Sequence, residues 1–82
     1  MRKEIYVLET FIRDNGCYNL STRIKVSSLN KAKDIASRCA GKRLNFYSLA
    51  PGLVWGALSS DCERYQITMI VIDTSRQGDF IL

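Results

Sequence analysis

Two extended segments separated by Asp14-Asn15-Gly16 limit the folds open to this chain more than any other feature. Residues 4–13 are rich in Ile, Tyr, Val, Leu, Thr and Phe and read as a strand. Residues 17–27 alternate, with Tyr18, Leu20, Thr22, Ile24 and Val26 on one side and Cys17, Asn19, Ser21, Arg23, Lys25 and Ser27 on the other. The connection predicts a β-hairpin. A two-residue Asn-Gly turn would set Arg13 opposite Tyr18 and Glu9 opposite Thr22. A three-residue loop with Gly16 left-handed would instead pair Ile12 with Tyr18, Leu8 with Thr22 and Tyr6 with Ile24. The second register keeps charge off the apolar side and is the expected one, because a slip of one residue inverts every side chain.

A helix follows the hairpin. Ser27 or Ser28 can cap it, Leu29, Ala32, Ile35, Ala36 and Cys39 form a narrow apolar stripe, and Gly41 supplies the stop. The stripe places Cys39 in the core. Leu44 to Leu49 reads as an extended or irregular passage, and Ala50-Pro51-Gly52 as a turn. Leu53 to Leu58 and Arg64 to Asp73 read as two further strands, joined through Ser59-Ser60-Asp61-Cys62; Tyr65, Ile67, Met69 and Val71 share one side. Thr74 to Asp79 is polar, and Phe80-Ile81-Leu82 can pack back or fray. The expected fold is α+β. It is a single compact domain over residues 1–82, with a four-stranded, mostly antiparallel sheet (ββαββ) and one helix packed on one face, an α/β sandwich of two layers. The other sheet face is left open.

Charge is unevenly placed. Residues 21–43 hold seven basic residues against the single acid Asp34, whereas the whole chain is only +4. Such a block favours polyanions or acidic protein surfaces as partners. Two surfaces could carry it. Arg13, Arg23 and Lys25 would share the open face with Phe11, Ile5 and Val7, a mixture found on single-strand binding surfaces and on protein interfaces. Lys31, Lys33 and Arg38 would lie on the helix, continued by Lys42 and Arg43, although a charge run on a helix is usually a solvated face. The expected partner-binding residues are Phe11, Arg13, Arg23, Lys25, Lys31, Arg38, Lys42 and Arg43. Trp55, between Gly52 and Gly56, reads more readily as core than as a ligand platform.

Catalysis finds little support. The chain has no histidine, which removes imidazole acid–base chemistry and the usual nucleophile pairs. Asp61 and Glu63 lie in an expected turn, where solvation accounts for acids. The five glycines are isolated and form no phosphate loop. Cys17, Cys39 and Cys62 have no metal-ligand spacing and read as reduced thiols. No enzyme activity, cofactor or metal is expected. An RNA recognition motif needs two helices and an aromatic strand motif, and a helix-turn-helix needs two adjacent helices; neither pattern is present. No apolar run reaches bilayer length. Glu9 and Arg13 interrupt any signal-peptide core, so a cytoplasmic protein is expected.

The phrase from Ile24 through Ser37, I-K-V-S-S-L-N-K-A-K-D-I-A-S, resembles short phage-encoded proteins, among them some small type I anti-CRISPR proteins. The resemblance covers about 14 of 82 residues and carries no functional residue across. The chain departs from it downstream, in a longer insert around Ala50-Pro51-Gly52 and in the tail after Asp73. The resemblance implies a small inhibitor that covers part of a host protein or ribonucleoprotein complex, such as a CRISPR effector, by steric and electrostatic occlusion. Direct nucleic-acid binding by a basic, aromatic sheet face is the alternative. A monomer or weak homodimer, without a membrane partner, is expected in either case.

Overall fold

The computed structural model describes residues 2–73. It contains β1 (Arg2–Asp14), β2 (Cys17–Val26), α1 (Leu29–Ala40), β3 (Tyr47–Ala50), β4 (Val54–Ser60) and β5 (Glu63–Asp73). All five strands form one antiparallel sheet in the order β2-β1-β5-β4-β3. This corrects the expected four-stranded ββαββ arrangement: a fifth strand, β3, begins in the passage read as extended or irregular and ends at Ala50, the first residue of the expected turn. The α+β character, with one helix on one face, stands. The expected packing or fraying of Phe80-Ile81-Leu82 lies outside the described residues. Among those residues, no helix is long and apolar enough to cross a membrane.

The first hairpin turns at Asn15 (φ 52°) and Gly16 (φ 81°), with Asp14 opposite Cys17. Two consecutive left-handed residues make the type I′ turn, whose twist matches that of the strands; Asn tolerates the conformation and Gly adopts it freely. The three-residue loop is therefore overturned. Arg13 faces Tyr18 and Phe11 faces Leu20, but beyond a bulge Leu8 faces Ile24 and Tyr6 faces Val26. Ser21 is the extra residue. The bulge breaks the alternation that 17–27 shows in the sequence: Ile24 and Val26 face the helix, while Tyr18 and Leu20 turn to the open side. It also sets Arg23 directly across from Glu9.

β3 exists because Pro51 and Gly52 close a second hairpin. Gly52 has φ 73°, and the Leu53 N–H donates to the Ala50 carbonyl at 2.9 Å, the geometry of a type II turn with Pro and Gly at its centre. Tyr47 then pairs with Gly56, and Ser48 with Trp55.

Ser28 caps α1, its Oγ accepting from the Lys31 N–H at 3.1 Å. Gly41 (φ 71°) ends the helix in a Schellman arrangement, with the Gly41 N–H on the Arg38 carbonyl and the Lys42 N–H on the Ser37 carbonyl. Ala32 and Ala36 are fully buried and join Leu8, Leu44, Ala57, Tyr65 and Ile67 in the core. Trp55 packs against that core, its ring centroid 6.1 Å from that of Tyr6. Cys39 does not: it is exposed, and the neighbouring Ala40 turns inward instead. The helix sinks deepest at its alanines, so the stripe narrows before the last turn. All three cysteines are free and exposed.

The first turn gives a direct test. Replacing Gly16 by Val places a β-branched residue at positive φ and should cost about 1 kcal/mol or more. A urea midpoint unchanged from wild type would contradict the type I′ assignment.

Candidate functional site

The two faces of the sheet differ in chemistry. On the open face, cross-strand pairing arranges side chains in rows. One row runs Leu20, Phe11, Arg64, Leu58; the next runs Arg23, Glu9, Gln66, Gly56, Tyr47; a third runs Lys25, Val7, Thr68, Val54. Ile5 and Ile70 follow, then Lys3 and Ile72. Five cations (Lys3, Arg13, Arg23, Lys25 and Arg64) therefore share this face with one strand acid, Glu9. Large apolar side chains are exposed between them: Leu58 at 56%, Tyr47 at 48%, Leu20 at 47% and Ile70 at 42%. Exposed apolar side chains also lie elsewhere, with Leu53 at 51%, Val71 at 50% and Ile12 and Ile24 at 37%, but on the open face they alternate with cations, the composition of an interaction surface.

Gly56 shapes one corner of the face. A Cβ on Gly56 would lie 2.9 Å from Leu49 Cδ1 and 3.7 Å from Tyr47 Cζ. Both side chains of β3 thus fold over the glycine, and they remain nearly half exposed above it.

The charges of the face are not equivalent. Arg23 donates to Glu9 Oε2 from Nε at 3.0 Å and from Nη2 at 2.9 Å, and so is largely neutralised. Arg64 sits between Phe11 and Leu58, and its Nε is buried with no hydrogen-bond partner among the described residues. A buried guanidinium N–H without an acceptor is costly and calls for an explanation. Arg64 is the residue that sequence reasoning missed. It lies outside the basic block, and only the strand pairing places it in the apolar row.

The eight residues expected to bind a partner do not form one site. Phe11, Arg13, Arg23 and Lys25 do share the open face. Arg38, Lys42 and Arg43 lie on the other side, along an open groove of about 840 Å³ between α1 and the segment 41–46. Lys31 is exposed on the helix and belongs to neither surface. Lys33, expected on the helix surface with Lys31 and Arg38, lines the groove as well, and Asn30, Asn45 and Phe46 complete the lining in places that the charge pattern did not single out.

A polar cluster fastens the groove end of the sheet. Glu63 Oε1 accepts from Ser59 Oγ at 2.6 Å and from Tyr65 Oη at 2.8 Å, and Lys42 Nζ donates to the Ser59 carbonyl. Burial, then the hydrogen bond to Glu63 and its charge, hold the Tyr65 hydroxyl well above the usual tyrosine range. With Ser59 and Tyr65 buried and three hydrogen bonds converging, the cluster serves as a structural clasp, and Asp61, in the turn, makes no hydrogen bond to Glu63 among the described residues. Comparison of the chain with family models, curated proteins and solved structures finds no match.

The raised Tyr65 group has a testable sign. The folded state favours the protonated phenol, so this contribution is whole below pH 10, the ordinary tyrosine value, and is lost as pH rises through the folded value. Tyrosinate absorbance at 295 nm should contain a late alkaline component that Tyr65→Phe removes. The same substitution should cost about 1–3 kcal/mol at neutral pH, as loss of a hydrogen bond to a charged group does. A Tyr65→Phe titration superimposable on that of wild type would refute the assignment.

Proposed function

We propose that this chain is a non-catalytic interaction protein that docks its open sheet face on a protein surface with an apolar centre and acidic groups. The observation that carries this reading is Arg64, whose Nε is buried in an exposed apolar row and lacks an acceptor among the described residues. A partner carboxylate would satisfy it, while Leu20, Phe11 and Leu58 lose water on either side. Arginine and aromatic anchors in desolvated surroundings supply most of the energy of protein interfaces. Arg13, Lys25 and Lys3, toward the ends and edge of the sheet, would steer an acidic partner rather than hold it. Occlusion is the consequence: a five-stranded sheet laid flat on a host assembly covers whatever else would bind there. Inhibition of a host complex of phage-target type, with a CRISPR effector as the particular case, rests on the Ile24–Ser37 phrase and its resemblance.

The test is quantitative capture from nuclease-treated host lysate with wild-type protein, Arg64→Ala, Leu58→Asp and Lys31→Glu. A partner held by the open face should fall at least about tenfold with Arg64→Ala and with Leu58→Asp, equivalent to about 1.4 kcal/mol, and be unaffected by Lys31→Glu. Equal recovery with all four proteins would sink the proposal. Sedimentation of the isolated chain supplies the other decisive outcome. A dimer dispersed by Leu58→Asp would make a second copy the occupant and overturn the assignment of a foreign partner.

A further inference from the structure

The groove on the helix side has chemistry of its own. Lys33 and Arg38 reach it from α1, and Lys42 and Arg43 from the segment that follows. Among the described residues Asp34 is the one acid along it, and Arg38 Nη2 lies 3.7 Å from Asp34 Oδ2 with both side chains well exposed, a contact of little strength. Lys33 and Arg43 have no ion-pair partner among the described residues. A helix C-terminus carries partial negative charge, and one or two cations would offset it. Arg38 is the basic residue of the last turn and serves the helix end, while Lys42 is committed to the Ser59 carbonyl. Lys33, near mid-helix, and Arg43 are in excess of that need.

The walls are fixed before any ligand arrives. Leu44 is buried in the core, and its N–H donates to Ser37 Oγ at 3.2 Å, binding the segment back to the helix. Lys42 Nζ is anchored on the Ser59 carbonyl of β4. Phe46, half-buried, gives the groove an aromatic surface, and Asn30 and Asn45 add side-chain amides to its lining. Preorganised cations beside an aromatic ring and side-chain amides match a single-stranded polynucleotide, whose phosphates follow the charges while a base stacks on the ring.

We infer that the groove between α1 and residues 41–46 binds the phosphodiester backbone of single-stranded nucleic acid, on the side of the molecule away from the docking face. The inference is independent of the protein partner: one surface can fail while the other holds. Together they would let the chain sit on a nucleoprotein assembly and occupy its strand path.

The experiment measures anisotropy of a fluorescein-labelled single-stranded DNA of about 20 nucleotides, its RNA counterpart and its duplex, from 50 to 200 mM salt. Binding to single strands should weaken with a log–log slope of about −2, as expected for roughly three phosphates at −0.7 each. Lys33→Glu with Arg43→Glu should reduce affinity at least about tenfold and flatten the slope, and the Lys33→Gln, Arg43→Gln pair should do so to a lesser degree. Both sites are on the surface, and an unchanged melting temperature verifies the fold. Lys3→Glu with Lys25→Glu, on the open face, should leave affinity within about twofold at 200 mM salt, where distant charges are screened. DNA and RNA arms of equal strength identify the shared phosphodiester as the ligand, and preference for either names the sugar as well. Tighter binding to duplex, loss with the open-face pair instead of the groove pair, or displacement by polyglutamate as effective as by unlabelled strand would overturn the inference. So would absence of binding at 50 mM salt.

Discussion

The close seating of α1 on the sheet is the contact from which the other features follow. Ala32 and Ala36 on the helix and Ala57 on β4 are all fully buried, so backbones approach where larger side chains would hold them apart. Leu8, Tyr65 and Ile67 fill the space around them. A helix about 10 Å across cannot cover a sheet of five strands spaced about 4.8 Å apart. The segment 41–46 extends the cover with Leu44 and Phe46, and the gap between that segment and the helix is the groove. The other sheet face receives nothing from the described residues. One helix on five strands thus yields both candidate surfaces.

Local signals in the sequence placed most of the elements. Ser28 and Gly41 act through their own backbone and nearest neighbours, so they are readable without tertiary information; Asp14-Asn15-Gly16 likewise marks the first turn, but the alternation of 17–27 points to a three-residue loop in place of the type I′ turn that forms. What was not readable depends on partners distant in sequence. β3 has four residues and little alternation, and becomes a strand because β4 returns alongside it after Pro51-Gly52. The Ser21 bulge is invisible in a segment that alternates cleanly; it arises because a type I′ turn and the packing of Val26 against the core require opposite parities on β2, and one unpaired residue reconciles them. Cys39 obeys the helical period but is exposed, and Ala40 beside it packs against the core.

The candidate surfaces were legible only in part for a related reason. Along the chain, the cations between Arg23 and Arg43 look like one block. Folding sends Arg23 and Lys25 to one side of the sheet and Arg38, Lys42 and Arg43 to the other, with Lys31 on neither surface. A strand residue chooses its face by parity and a helix residue by angle, so linear charge density does not predict spatial density. Arg64 shows the converse. It is isolated among basic residues in sequence, yet cross-strand pairing makes it the centre of the apolar row.

Arg64 also links stability to binding. A guanidinium N–H withheld from water with no acceptor among the described residues, and exposed Leu20, Leu58 and Ile70 around the same face, both weigh against the isolated fold. The core available to offset them is small, with three large side chains fully buried. A domain of this size buries only about 60–65% of its unfolded surface, so such terms are a large share of its net stability. A ligand that binds the folded chain alone removes them, and mass action then raises stability by about 2.7 kcal/mol at a hundredfold excess over Kd. The groove adds the electrostatic counterpart, since bringing Lys33 and Arg43 near Arg38 and Lys42 costs repulsion that a bound phosphate relieves. On this argument the features that weaken the free molecule are those that a partner on each side would turn into affinity.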